Sequence, residues 1–236
     1  MASPRATARQ PSPLSEAVRD RYKRAAAEAA AAMVEPGMRV GLGTGTTVAY
    51  LLPAIAERGE LGLRCVATSP ETERVARELG LRLESLDELG ALDIAIDGAD
   101  QIDVDGWLVK GGGGAMTREK VVAAAAKVFV VIASEDKAVN ELAPPVPLEL
   151  LRFGVRSTLG LLGDARLRDA GESPDGGLIA DYLGAVADPR ALSARLSATP
   201  GVVEHGLFPP EMVSTIVIAG SGGVERRAGG KPPPAP

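Results

Sequence analysis

Four short, almost wholly apolar runs, MRVGLG, LRCVATS, LDIAID and VFVVIA, recur through the first 135 residues with helical segments between them. A strand with one face in water alternates apolar and polar residues, whereas a near-continuous apolar strand is buried on both faces. Strands of that kind separated by helices indicate a parallel sheet covered by helices on both sides, an α/β architecture. The intervening segments fit. SEAVRDRYKRAAAEAAAAMVE is an alanine-rich helix stopped by Pro36-Gly37. PETERVARELG has Ser69 to cap it, Pro70 for its first turn and Gly80 to end it. MTREKVVAAAAK is a helix, and TTVAYLLPAIAERG another that Pro53 is expected to kink or split. LRLES reads as one more strand.

From about Pro144 the pattern changes. PVPLELL, ARLR and LIADY read as short half-exposed strands around helical FGVRSTLGLLG and DPRALSARLSA, ahead of the final strands GVVEHGLF and VSTIVIAG. This predicts a small α+β domain at 144–204 inserted into a parallel-sheet domain made of 15–143 and 205–222. Residues 1–14 and 223–236 read as flexible tails. The first has proline and arginine but no apolar stretch of a secretory signal, and RRAGGKPPPAP cannot form a helix or a central strand. No internal repeat is present.

Composition narrows the function classes. With 31 acids against 26 bases, a net charge of −5 and no long basic run, nothing points to nucleic acid. No apolar run approaches the roughly 20 residues that span a bilayer. Aromatics are only 3% of the chain, so the core must be built of Ala, Val, Leu and Ile. The lone Cys65 lies in an apolar run and reads as inert core; with no partner for a disulfide it fits a reducing, cytoplasmic compartment.

Two glycine-rich loops carry the chemistry. GLGTGTT, Gly41 to Thr47, follows a strand and opens a helix, where unpaired backbone N–H groups meet anions. A dinucleotide fingerprint would need glycine where Thr46 stands, and a P-loop would need a lysine, so neither applies. Glycine with the hydroxyls of Thr44, Thr46 and Thr47 suits a single phosphate; a tight turn with capping threonines is the plain alternative. Further on, DGADQIDVDGWLVKGGGGAMTREK puts Asp97 at the end of a buried strand and Asp100 three residues later. Lys110, four glycines and then Glu119 early in a helix follow. Asp and Gly form ordinary turns, and a Glu early in a helix is favoured by the dipole. A run of four glycines, however, carries an entropic cost that no simple turn requires, and it admits a ligand to the backbone. Asp103 and Asp105 read as solvated turn residues, His205 as structural or exposed, and Trp107 as packed beside the loop. One histidine excludes a histidine-based metal site, and Lys110 beside the aspartates argues against a carboxylate one.

GLGTGTT, IDGADQID, VKGGGGAMTREK and IASEDKAVNEL, in this order and spacing, resemble ribose-5-phosphate isomerases of the A type, as does PGVVEHGLF later. The resemblance spans roughly residues 16 to 220. It implies a Rossmann-like parallel-sheet domain with a smaller inserted α+β (ferredoxin-like) domain. It also implies cofactor-free, metal-free interconversion of ribose 5-phosphate and ribulose 5-phosphate in the pentose phosphate pathway, by a homodimer or homotetramer. Carried over by residue, Thr44, Gly45, Thr46 and Thr47 belong to the substrate loop. Asp97, Gly98, Ala99, Asp100, Lys110, Gly111, Gly112 and Gly113 line the sugar. Glu119 matches the catalytic base, and Lys137 a further substrate-binding lysine. An aldose–ketose isomerase needs such a carboxylate base with a raised pKa, and a cation for the enediolate oxygen. Asp97 suits acid/base work in ring opening, Asp100 the orientation of hydroxyls, and Lys110 the oxyanion.

This chain departs from the family pattern in Thr46 for serine, in the residue order of SEDK, in the turn GESPDGGLIAD and in Gln101, where a glutamate is usual. Losing that charge is expected to alter neighbouring pKa values. A sugar-phosphate sensor of similar fold is the rival reading; it would want a DNA-binding domain before the first helix and has no need of Glu119 with both aspartates. An acyl-CoA transferase would want its nucleophilic glutamate in another context.

Overall fold

The computed structural model describes residues 14–232, so the tail expected at 1–14 lies, but for Leu14, outside the described residues. Helix α1 (Glu16–Ala31) begins where the Ser15 side chain accepts the Val18 N–H. Then come β1 (Arg39–Leu42), α2 (Val48–Ala56), β2 (Arg64–Ala67), α3 (Pro70–Glu78) and the single-turn α4 (Leu86–Leu89). They are followed by β3 (Leu92–Gly98), the short β4 (Gln101–Ile102) and β5 (Leu108–Val109), α5 (Met116–Ala125) and β6 (Ala126–Ser134). The small-domain region supplies β7 (Val146–Leu150), α6 (Val155–Leu162), β8 (Ala165–Glu172), β9 (Leu178–Tyr182), α7 (Pro189–Ala198) and β10 (Val202–His205). The chain closes with β11 (Leu207–Phe208), β12 (Thr215–Gly220) and β13 (Gly223–Ala228).

The main sheet has the order β13-β12-β6-β3-β1-β2 and is parallel except for β13. Strand β6 shows why its sequence is continuously apolar. Val130 and Ile132 pack with α1 and α2 on one face, while Phe129, Val131 and Ala133 pack with Val122 and Ala123 of α5 on the other. The second sheet, β10-β7-β9-β8, is antiparallel throughout; with α6 and α7 it gives the β-α-β-β-α-β sequence of a ferredoxin-like unit. A third sheet, β11-β5-β4, joins the two. Among the described residues no helix is long and apolar enough to cross a membrane.

Four expectations are corrected. Helix α2 runs through Pro53 unbroken, losing the one hydrogen bond that residue cannot donate. LRLES is not a strand: only Leu83 bridges to Cys65, and the chain turns at once into α4 through the Ser85–Glu88 capping box. Strand β7 is buried at every residue rather than half-exposed, because α5 covers the face that α6 and α7 do not. Residues 223–228, read as tail, form an edge strand against β12. All six of its residues are exposed; the β12 ladder and the Arg226 guanidinium on the Ala29 carbonyl of α1 hold it, and no apolar pattern marks it.

Candidate active site

Strands β1 and β3 are neighbours, and the chain leaves their C-terminal ends in opposite directions across the sheet, which opens a crevice there. Gly43 ends β1 hard against Asp97 at the end of β3. A Cβ on residue 43 would fall 2.0 Å from Asp97 Oδ1, so only glycine fits. That oxygen accepts the N–H groups of Thr44 at 3.0 Å and Gly98 at 2.7 Å, which fixes the carboxylate in one orientation.

Lys110, set at the end of β5 by its own N–H on the Gly206 carbonyl, sends its ammonium between two acids. Lys110 Nζ lies 2.9 Å from Asp97 Oδ2 and 3.2 Å from Glu119 Oε2, and donates to the Gly98 carbonyl. The three residues are only 2–4% exposed. Among the described residues, the two carboxylate oxygens that face the ammonium have no hydrogen-bonded partner besides this ion pairing. Burial raises the Asp97 carboxyl despite Lys110 and the two amides. Burial, and next the Asp97 charge, push Glu119 up to about 8, with Lys110 opposing. Burial alone would depress the Lys110 ammonium, but Asp97 and Glu119 outweigh it and hold the group above the ordinary lysine range.

These shifts set a pH dependence. Glu119 binds its proton more tightly in the folded chain than at its ordinary value of 4.5, so its contribution to stability falls as pH rises from about 4.5 to about 8. Asp97 shifts in the same direction, and Lys110 stays charged throughout that window. Thermal unfolding followed from pH 5 to pH 8 should show this decline in the wild type and a shallower one in Glu119→Gln.

Above the triad lies a polar pocket. Its walls are Thr44, Gly45, Thr46, Thr47, Gly98, Ala99, Asp100, Gly111, Gly112, Gly113 and Lys137, with Lys110 and Glu119 at its floor. Asp97 is not on the wall but beneath it. The N–H groups of Gly45, Thr46 and Thr47 find no protein acceptor among the described residues and stand at the start of α2. Asp100 accepts the Gly112 N–H at 2.8 Å; a Cβ on Gly112 would sit 2.9 Å from that carboxylate.

Other expectations fare differently. Cys65 is fully buried and its thiol pushed up to about 12 by burial. His205 is buried, with Nε2 near the hydroxyls of Ser193 and Ser197; burial and the Lys120 ammonium push its imidazole down to about 4. Trp107 stacks under Arg190 and does not line the pocket. Asp103 is buried, not solvated, because it closes its turn by accepting the N–H groups of Asp105 and Trp107. Gln101 also stays off the pocket wall: its carboxamide pairs with both the N–H and the carbonyl of Ala143 at 2.8 Å. A carboxylate there could satisfy only the N–H. Thr68, absent from the sequence reading, backs the first loop through a 2.7 Å hydroxyl contact with Thr44. Its place at the end of β2, beside β1, was the signal. Among the described residues no group of three or more His, Cys, Asp or Glu is placed to hold a metal ion.

A doubly covered parallel sheet with an open amide loop beside a buried acid–lysine–acid triad has the parts of a proton-transfer enzyme acting on an anionic substrate. The comparisons particularise it. The family model of ribose 5-phosphate isomerase A (phosphoriboisomerase A) matches residues 64–223. A ribose-5-phosphate isomerase A of Sinorhizobium fredii is 46% identical over 87% of this chain and 96% of its own length. That of Roseiflexus castenholzii is 47% identical over 86% of this chain and 93% of its own. Among solved structures, ribose 5-phosphate isomerase from Plasmodium falciparum aligns with a TM-score of 0.83 at 31% identity, covering 89% of this chain and 98% of that one. A D-ribose-5-phosphate isomerase in complex with phospho-erythronic acid aligns at 0.84 and 31%, covering 89% and 99%. The chain belongs to the ribose 5-phosphate isomerase A family and is an isomerase.

Proposed function

We propose that this pocket interconverts D-ribose 5-phosphate and D-ribulose 5-phosphate through an enediolate, with Glu119 as the base. The observation that carries the reading is the Lys110 ammonium held between Asp97 and Glu119 on the floor of the pocket. The free amides of residues 45–47 and the hydroxyls of Thr46 and Thr47, with Lys137 on the same pocket wall, hold the phosphate. The open-chain sugar then lies along the glycines with C1 and C2 over the triad. Glu119 takes the proton from C2, Lys110 stabilises the oxygen on which charge develops, the hydroxyl proton passes from O2 to O1, and the protonated Glu119 returns its proton to C1. Asp97, beneath the wall and tied by two amides, holds the lysine in place, so ring opening and hydroxyl orientation fall to Asp100. This reading gives Asp100 the acid/base work expected of Asp97, because Asp100 lines the pocket and Asp97 does not.

Formation of ribulose 5-phosphate from ribose 5-phosphate by EDTA-treated protein tests the reading; a folded protein that binds the sugar phosphate without converting it would leave a sensor. The acidic limb of kcat/KM should lie well above the ordinary carboxylate range, toward about 8. Gly43→Ala must displace the Asp97 carboxylate. We expect kcat to drop by about 100-fold, since small misplacements of a reacting geometry have effects of that order. A Gly43→Ala enzyme with wild-type kcat would show that the Asp97 orientation is immaterial. The reading also takes 144–204 as the inserted domain and the working form as a cytoplasmic homodimer or homotetramer, which light scattering on the purified protein tests.

A further inference from the structure

We propose that Arg168, a small-domain residue off the pocket wall, is a positioning residue of the isomerase site, acting on Asp100 through Gly112. The proposal rests on the functional reading above in giving Asp100 a place against the substrate. Arg168 lies on β8. Its Nε and Nη2 pair with the two oxygens of Asp181 on β9 at 2.7 and 2.6 Å. That leaves Nη1 to reach across to the glycine loop, where it donates to the Gly112 carbonyl at 2.8 Å and lies 3.5 Å from that of Gly111.

Gly112 is therefore gripped at both ends. Its carbonyl is held by Arg168, and its N–H holds the Asp100 carboxylate at 2.8 Å. A run of glycines has no side chains to fix its peptide planes and turns freely unless something outside anchors it. Within the loop the one internal bond is Gly114 N–H to the Gly111 carbonyl, which spans Gly112 without fixing it. Arginine suits the task because its planar fork pairs with a carboxylate and still has a donor to spare; lysine offers a single point. The Asp181 carboxylate, and after it the Asp100 charge, raise the guanidinium above its ordinary range against the effect of burial.

The test compares Arg168→Met, Arg168→Lys and Asp181→Asn with the wild type by amide hydrogen exchange over residues 111–114 without substrate, and by steady-state kinetics on ribose 5-phosphate. Arg168→Met should exchange at least about tenfold faster in that segment, because a local opening replaces an anchored one. Its kcat should fall roughly 10- to 100-fold, with KM moving far less. Arg168→Lys should recover part of both, and Asp181→Asn, which leaves the loop contact in place, should lose little. Combined with Asp100→Asn, Arg168→Met should add almost nothing, as expected for residues acting in one unit. Unchanged exchange in 111–114, losses that add in the double variant, or an equal loss in Asp181→Asn would overturn the proposal. Should the wild type fail to isomerise ribose 5-phosphate, the functional reading fails, while the exchange still decides whether Arg168 anchors the loop.

Discussion

Replacing Lys110 with methionine is expected to destabilise the fold by about 3–5 kcal/mol, the usual cost of removing one partner from a buried ion pair. The same change should reduce turnover below detection. Methionine matches the length of the lysine stem, so the effect is electrostatic rather than a cavity. Asp97 Oδ2 and Glu119 Oε2 face the ammonium and have no hydrogen-bonded partner to fall back on. Without the cation, two carboxylates would confront each other in a site where the residues are 2–4% exposed. The chain can escape only by protonating them, which pushes both acids further up than burial already does. The deficit relative to the wild type should therefore shrink as pH falls toward the unprotected carboxyl range and widen toward neutral pH. Denaturant unfolding of both proteins at pH 5 and pH 8 checks the sign. Equal stability at pH 8 would mean that the lysine is not the counter-charge described.

Glu119→Gln should behave in the opposite way in stability and more specifically in chemistry. The amide has the shape of the acid but cannot accept the C2 proton. We expect kcat to fall by about 10²- to 10⁴-fold, the range that a positioned general base contributes. The KM for ribose 5-phosphate should stay within a few-fold, because the substitution leaves the proposed phosphate loop, residues 44–47, unchanged. Stability should not fall, since burial and then the Asp97 charge already oppose ionisation of Glu119, which the amide cannot undergo. A loss of activity accompanied by unfolding would point to a structural role instead. A variant that keeps its thermal midpoint and loses kcat locates the defect in proton transfer.

The parallel strands of the main sheet were legible because their centres are covered on both faces and show it in near-continuous apolar runs. The meeting of the two loops was legible for a related reason: parallel strands put their C-terminal ends on one edge, so Gly43 and Asp97 had to be neighbours. What escaped the sequence depends on contacts that no local pattern records. Strand β7 reads as half-exposed until α5 packs on its second face. Strand β13 buries no residue and so looks like a tail. Asp103 is buried by the turn it closes, a fate that its neighbours in DVDG do not announce. Gln101 reads as a lost charge beside the site, whereas its carboxamide is committed to Ala143, 42 residues away. Asp97 and Asp100 both read as lining the sugar, and only the fold puts one under the wall and the other on it.

The central claim, that Glu119 carries the proton between C1 and C2, is tested most directly by following hydrogen exchange at C1 of ribulose 5-phosphate in D₂O by NMR, beside isomerisation in the same tube. The exchange reports the proton transfer itself, free of ring opening. The account predicts that Glu119→Gln loses exchange and isomerisation by the same large factor while remaining folded. A Glu119→Gln protein that still exchanges the C1 hydrogen at the wild-type rate would contradict it, whatever became of overall turnover.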